Sequence, residues 1–145
     1  MGVTGHVLSG TAASVIAYGL TGSISFALGV AVGSLLLDAD HIFDYWLIDG
    51  QRSLNPRQLV LYYARCFPLR RVLLLHSYEL LFILSGLALL VKSKALGGFV
   101  AGAFVHLAAD FLPQSDLSLR SRIRLYSILY RWHNGFNSRR LYRLD

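Results

Sequence analysis

His106-Leu-Ala-Ala-Asp110 sets an imidazole and a carboxylate at i and i+4, so both side chains leave one face of a helix. The run from Ala95 to Leu112 around them holds no other charged residue. An ionised Asp at membrane depth costs roughly 2.5–3.5 kcal/mol even on lenient insertion scales, and a cation beside it would offset that cost directly. A His–Asp hydrogen bond joining two helices is the alternative. Asp38-Ala-Asp40-His41 supplies two carboxylates and a second imidazole. Asp38 and His41 can share a helix face, and Asp44 extends the Asp40 side by one turn. An ordinary helix end meeting water would tolerate the same residues. His76 and Glu79 are spaced i, i+3 in a run dominated by Leu, Ile and Phe, which suits either chemistry or a structural polar pair. His6 opens the first apolar run, and His133 sits among arginines and reads as surface.

Nitrogen and carboxylate oxygen without thiolate suit Zn²⁺, with Mn²⁺ and Fe²⁺ as alternatives. Cys66 is the only cysteine; it can form no internal disulfide and reads as a small apolar filler. The ligand candidates are His6, Asp38, Asp40, His41, His76, His106 and Asp110, enough for one ion or for two bridged by a carboxylate. Such a centre turns water into a nucleophile near neutral pH and stabilises a developing oxyanion. Glu79 or Asp40 would then move protons, and Arg70 or Arg71 would hold an anionic group. No H-E-x-x-H, G-x-S-x-G or phosphate-binding glycine loop occurs in the chain, which sets aside zincin, serine-hydrolase and nucleotide-binding chemistry.

The elements that must position these residues follow from composition. Of 145 residues, 54% are hydrophobic and only 15% charged, and the mean hydropathy is +0.49. A water-exposed domain of this length covers itself with more charge. Val7 to Leu37 contains no charged residue, and Val72 to Val91 carries only His76 and Glu79. A spanning helix needs about 20 apolar residues. Gly19, Thr21, Gly22 and Ser23 break the first run, so the pattern predicts a hairpin of helices over 5–20 and 24–40. Further spans are predicted over 72–91 and 95–112, joined by a Lys-Ser-Lys turn. Residues 42–65 mix aromatics with arginines and suit the headgroup layer. An amphipathic helix is expected over 122–132. The expectation is an all-α polytopic membrane protein of one domain, with about four transmembrane helices, a helical core over 1–113 and a basic tail over 114–145. Gly29 and Gly33, and Gly98 and Gly102, lie four apart and would let helix backbones approach closely.

The net charge is +6, and all twelve arginines fall in the blocks Arg52–Arg71 and Arg120–Arg143. Threaded through four spans, both blocks land on one side, which the positive-inside rule makes cytoplasmic. His6, Asp38, Asp40, His41, His76, His106 and Asp110 fall on the same side. No Lys or Arg precedes the first apolar run, which argues against a cleaved signal, and His6 in place of Ser or Thr argues against myristoylation of Gly2. The expected location is an inner, cytoplasmic membrane with the C-terminus inside.

Two classes of function fit. One is a membrane-embedded metal-dependent hydrolase of phosphoesters on lipids or amphiphiles, with membrane lipids and an anionic phosphate-bearing substrate as partners. The other is a non-catalytic membrane module whose tail binds a protein or nucleic acid. In it Arg122, Arg124, Arg131, Arg139, Arg140 and Arg143 alternate with Tyr126, Tyr130, Trp132 and Tyr142. A metal transporter is disfavoured by ligands gathered at one face rather than at mid-membrane.

Read in order, Gly5-His6, Asp38-x-Asp40-His41, His76-Ser77 and His106-x-x-x-Asp110 followed by Leu112-Pro113 resemble the YdjM-like family. That family is described as LexA-binding, inner-membrane-associated metal-dependent hydrolases, distantly related to zinc-dependent phospholipase C and the P1-type nucleases. The resemblance spans about residues 1–113. It implies a helical fold and a zinc site built from His6, Asp38, Asp40, His41, His76, His106 and Asp110. The chain departs from the family pattern at Leu37, where Pro is usual, and at Arg71-Val-Leu-Leu-Leu before His76, where an earlier His is missing. Glu79 is the candidate to replace that ligand.

Overall fold

Turn chemistry decides where the first helices end. In a computed structural model of the chain, which describes residues 3–53, 55–65, 68–112 and 117–141, α1 runs Val3–Thr21 and α2 runs Ile24–Leu36. Gly22 between them adopts φ +61°, a left-handed conformation that costs glycine nothing. The Ser23 hydroxyl then accepts from the Phe26 amide, capping α2. The predicted hairpin is present, with α2 ending four residues early. The Lys-Ser-Lys turn behaves likewise: Ser93 caps α6 (Lys94–Phe111) through the Leu96 amide, after α5 (Tyr78–Leu90).

The described residues divide into two compact units. The first comprises 3–37 and 78–112, and the second comprises 38–77 and 117–141. In the first, α6 contacts α1, α2 and α5, and α2 lies closest to it. Glycine spacing is the reason. A Cβ on Gly29 or Gly33 would overlap the backbone of Ala95 or Phe99, and one on Gly98 or Gly102 would overlap that of Phe26 or Val30. Both helices lack side chains along their contact line, so their backbones meet directly. Ser14 Oγ also donates to the Ala27 carbonyl at 2.8 Å, tying α1 to α2. The interior of this unit is small, centred on Val30, Leu81, Ala103 and Leu107, whereas Leu20, Leu89 and Leu90 are about 80% exposed (82%, 78% and 81%).

The second unit is built from α3 (Ala39–Phe43), a π-helical turn (Asp44–Ile48), α4 (Pro56–Arg65), an irregular segment over 68–77, α7 (Leu119–Leu125), α8 (Ile128–His133) and α9 (Ser138–Leu141). Arg70 pairs antiparallel with Asn137, fixed by bonds from the Arg71 amide to Phe136 O at 2.9 Å and from the Ser138 amide to Leu69 O at 3.1 Å.

Three expectations need correction. Helix α5 starts at Tyr78, not near residue 72, because the chain before it is held open by side chains from elsewhere, as described below. His76 therefore precedes the helix and does not share a helical face with Glu79. The amphipathic helix over 122–132 is two helices, since Ser127 caps a new start through the Tyr130 amide at 3.1 Å. Finally, among the described residues two helices, not four, are long and apolar enough to cross a membrane, the run Ile24–Ile48 and Lys94–Phe111, with Tyr78–Leu90 apolar but shorter. Residues 117–141 group with 38–77. Gly2, Cys66, Pro113, Tyr142 and Arg143 lie outside the described residues.

Candidate metal centre

In the first unit, His6 from the start of α1 and His106 and Asp110 from the end of α6 meet. Each offers a ligand atom within 4.8 Å of the others. His6 Nε2 lies 2.9 Å from Asp110 Oδ1, and His106 Nε2 lies 3.4 Å from Asp110 Oδ2. The two imidazoles stack, with centroids 3.9 Å apart and planes 13° from parallel. Both histidines are buried, at 2% and 0% exposure. This buried His/Asp group could hold a metal ion.

Ser34 sharpens the chemistry. Its carbonyl, in the last turn of α2 and beyond the reach of the intrahelical ladder, lies 2.6 Å from His106 Nδ1. A carbonyl only accepts, so Nδ1 carries the proton, and a neutral His106 turns its Nε2 lone pair towards Asp110. Lone pair facing carboxylate is repulsive unless something positive lies near them, such as a second proton, a metal ion or another cationic group. Protonating both stacked rings would set two like charges face to face, which burial makes costly. His6 Nδ1 is also buried with no hydrogen-bond partner among the described residues, so that ring too is not saturated by protein groups.

The second unit repeats the device. His76 Nδ1 lies 3.3 Å from Asp40 Oδ2, the carboxylate–histidine arrangement that orients a metal-binding imidazole through its far nitrogen. His41 Nε2 is 3.9 Å from Asp38 Oδ1, the His41 and His76 rings are 5.2 Å apart, and Asp38 and His76 offer ligand atoms within 4.8 Å. Tyr63 Oη donates to the His41 carbonyl at 2.8 Å. Burial pushes the Tyr63 phenol well above its ordinary value, Asp44 and Asp49 add to the rise and Arg71 opposes it, so the phenol stays a donor.

Asp40 has further duties. Its Oδ2 also accepts from the His76 amide at 3.0 Å and from the Leu75 amide. One turn on, Asp44 Oδ2 accepts from the amides of Val72 at 2.8 Å and Leu73 at 3.2 Å. The carbonyls of the same segment go to Arg131, whose guanidinium donates to Leu73 O at 2.9 Å and His76 O at 3.1 Å, and also to Leu125 O at 2.9 Å. Residues 72–76 thus spend most of their polar groups on Asp40, Asp44 and Arg131 and not on a helix, and Leu73 is held at φ +42°.

Each unit carries part of the candidate set. His6, His106 and Asp110 converge in the first, where Glu79 stands half-buried in the first turn of α5. Asp38, Asp40, His41 and His76 gather in the second, which also carries Arg70 and Arg71. Arg70 is exposed, Arg71 half-buried and His133 exposed. The residues that sequence reasoning passed over are Ser34, which acts through its backbone, and Arg131, expected on a polar helix face but only 2% exposed. Asp44 carried a legible signal in its one-turn spacing from Asp40. Comparisons with models of known families, with curated proteins and with solved structures find no match to this chain.

Proposed function

We propose that the chain is a membrane-embedded, metal-dependent hydrolase acting on phosphoesters of lipids or other amphiphiles. One observation carries this most of the way: a buried carboxylate meets two stacked imidazoles, one of them locked by Ser34 into the tautomer that binds metals through Nε2. His6, His106 and Asp110 would hold an ion in the first unit. In the second unit Asp38 and His76 offer ligand atoms within 4.8 Å of each other, with Asp40 orienting His76 and His41 as a further candidate ligand. The donor set suits Zn²⁺ first, then Mn²⁺ or Fe²⁺. Bound there, such an ion supplies Lewis acidity and lowers the pKa of water. Glu79 is the carboxylate we assign to carry a proton, since Asp40 Oδ2 is committed to the 75–76 amides. Arg70 is the better candidate of the two arginines to hold an anionic group, because its side chain is exposed.

Membrane embedding draws support from the outward leucines of α1 and α5 together with the two long apolar helices. Exposed Trp132 and Leu129 beside Arg124, whose guanidinium lies 5.6 Å over the Tyr130 ring, suit a headgroup layer. By the positive-inside rule that layer is the cytoplasmic leaflet of an inner membrane. The motif order shared with the YdjM-like family points the same way.

The test is elemental analysis of detergent-purified protein beside His106→Ala and Asp110→Ala variants, followed by hydrolysis of a chromogenic phosphodiester and a short-chain phospholipid. We expect bound zinc in the parent and a loss of at least tenfold in affinity in each variant. Equal metal content in all three would remove the basis for the function.

A further inference from the structure

Within the second unit, the buried Arg131 side chain reaches one short stretch of chain from its carbonyl side. Leu73 and His76 are the two ends of a turn, closed by the His76 amide donating to Leu73 O at 3.1 Å. The Arg131 guanidinium spans both ends, Nη2 donating to Leu73 O at 2.9 Å and Nη1 to His76 O at 3.1 Å. Nη1 also donates to Leu125 O at 2.9 Å, which ties the fork to the end of α7. From the amide side, Asp40 Oδ2 accepts from the Leu75 and His76 amides and faces His76 Nδ1 at 3.3 Å. Asp44 takes the amides of Val72 and Leu73. The segment is thus held by two buried carboxylates through N–H groups and by one buried guanidinium through C=O groups, an alignment in which each bond polarises the next. Leu73 at φ +42° needs such fastening, because a branched side chain rarely takes left-handed backbone. His76 is gripped at its amide and ring by Asp40 and at its carbonyl by Arg131. Carboxylates can fix only the donors; the direction of the His76 carbonyl falls to the guanidinium.

We propose that Arg131 is a positioning residue for His76: its guanidinium fixes the turn that keeps the imidazole on Asp40 through Nδ1, the orientation in which Nε2 binds a metal. Because Asp40 accepts, the ring proton sits on Nδ1. Arg131 acts on the site through the 73–76 backbone. The role deepens the metal-centre reading and rests on it for the ion, whereas the placement of the ring belongs to the metal-free chain. A general structural role would be felt as stability alone; positioning is felt in the folded protein, as the nitrogen that carries the His76 proton.

The experiment uses the full chain in detergent, labelled with ¹⁵N-histidine, first with a chelator and then titrated with zinc. In the metal-free parent, the ring shifts of His76 should place its proton on Nδ1. In Arg131→Met the Nε2–H form should become roughly tenfold more populated, and the zinc midpoint read at His76 should rise by about tenfold or more. His106, whose Nδ1 is held by Ser34 O, is the internal reference and should keep its tautomer. Leu141→Ala truncates a buried side chain of the same unit and should leave the His76 tautomer as in the parent. Arg131→Lys keeps the charge but not the planar fork, and should shift His76 in the same direction as Arg131→Met. Should Arg131→Met fail to fold, Arg131→Lys decides the matter. A parent-like His76 tautomer in the folded Arg131 variants would overturn the proposal, as would an equal shift in Leu141→Ala. If zinc moves no histidine in the parent, the metal reading fails, and the metal-free tautomers still decide the role of Arg131.

Discussion

At the scale of single residues, the decisive atom is His106 Nδ1. Its bond to Ser34 O fixes the tautomer without any side-chain partner, so Nε2 is the only nitrogen His106 can offer to a metal. ¹⁵N spectra of histidine-labelled protein should show His106 protonated at Nδ1 in the metal-free state. Adding Zn²⁺ should move Nε2 and leave Nδ1 in place; the reverse pattern would contradict the geometry. The same binding must appear as stability, because a ligand that binds only the folded chain at a hundredfold its Kd adds about 2.7 kcal/mol. Zinc should therefore raise Tm by on the order of 10 °C over the chelated protein, and His106→Ala should abolish the rise. That an imidazole and a carboxylate share a helix face at the end of α6 is legible in the sequence, since i, i+4 spacing fixes it. That Ser34 O completes the site is not, because a backbone carbonyl has no sequence signature.

At the scale of elements, the α2–α6 contact and the 72–76 segment show what pattern reading can and cannot reach. Small residues four apart on both helices announced close approach, and each occupies a place where a Cβ would strike backbone. Gly102→Ala should cost about 1–3 kcal/mol through overpacking. Gly86→Ala, at a helical glycine with open space around it, should instead stabilise by roughly 0.5–1 kcal/mol. Chemical denaturation of the two variants compares them directly, and equal effects would mean the helices are not in backbone contact. The sequence over 72–76 predicts helix because Val-Leu-Leu-Leu carries no breaker. Its true conformation is set by Asp40, Asp44 and Arg131, which lie some 30 residues before it and 55 or more after it. Local periodicity holds no trace of such partners. Arg131→Met, similar in length but without donors, would take a donor from each of three carbonyls and should cost about 2–4 kcal/mol. Hydrogen exchange at the Val72, Leu73 and His76 amides should rise before that at α8. Arg131→Lys should rescue little, since one ammonium does not reproduce the guanidinium fork. Full rescue would show that charge alone matters there.

At the scale of the whole molecule, the question is what surrounds it. Ionisable side chains of the first unit, His6, His106 and Asp110, point inwards, while large apolar residues such as Leu20, Ile83 and Leu89 point out. That distribution is what the proposed lipid surroundings would favour, and it makes a substitution whose cost depends on the solvent. Val32 lies within the long apolar run Ile24–Ile48 and is 51% exposed. In water, Val32→Asp would sit on an accessible helix face, where the two residues have similar helix propensity, and would shift stability by no more than about 0.5 kcal/mol. In lipid, the same carboxylate would meet hydrocarbon at a cost of roughly 2.5–3.5 kcal/mol, about a hundredfold in the insertion equilibrium. We expect the parent chain in the membrane pellet after alkaline carbonate washing and the variant largely lost from it. Val32→Leu should behave as the parent. A parent chain that stays in the supernatant, or a Val32→Asp protein as well retained as the parent, would mean that the outward apolar faces do not meet lipid, and the two long helices would then need some other cover.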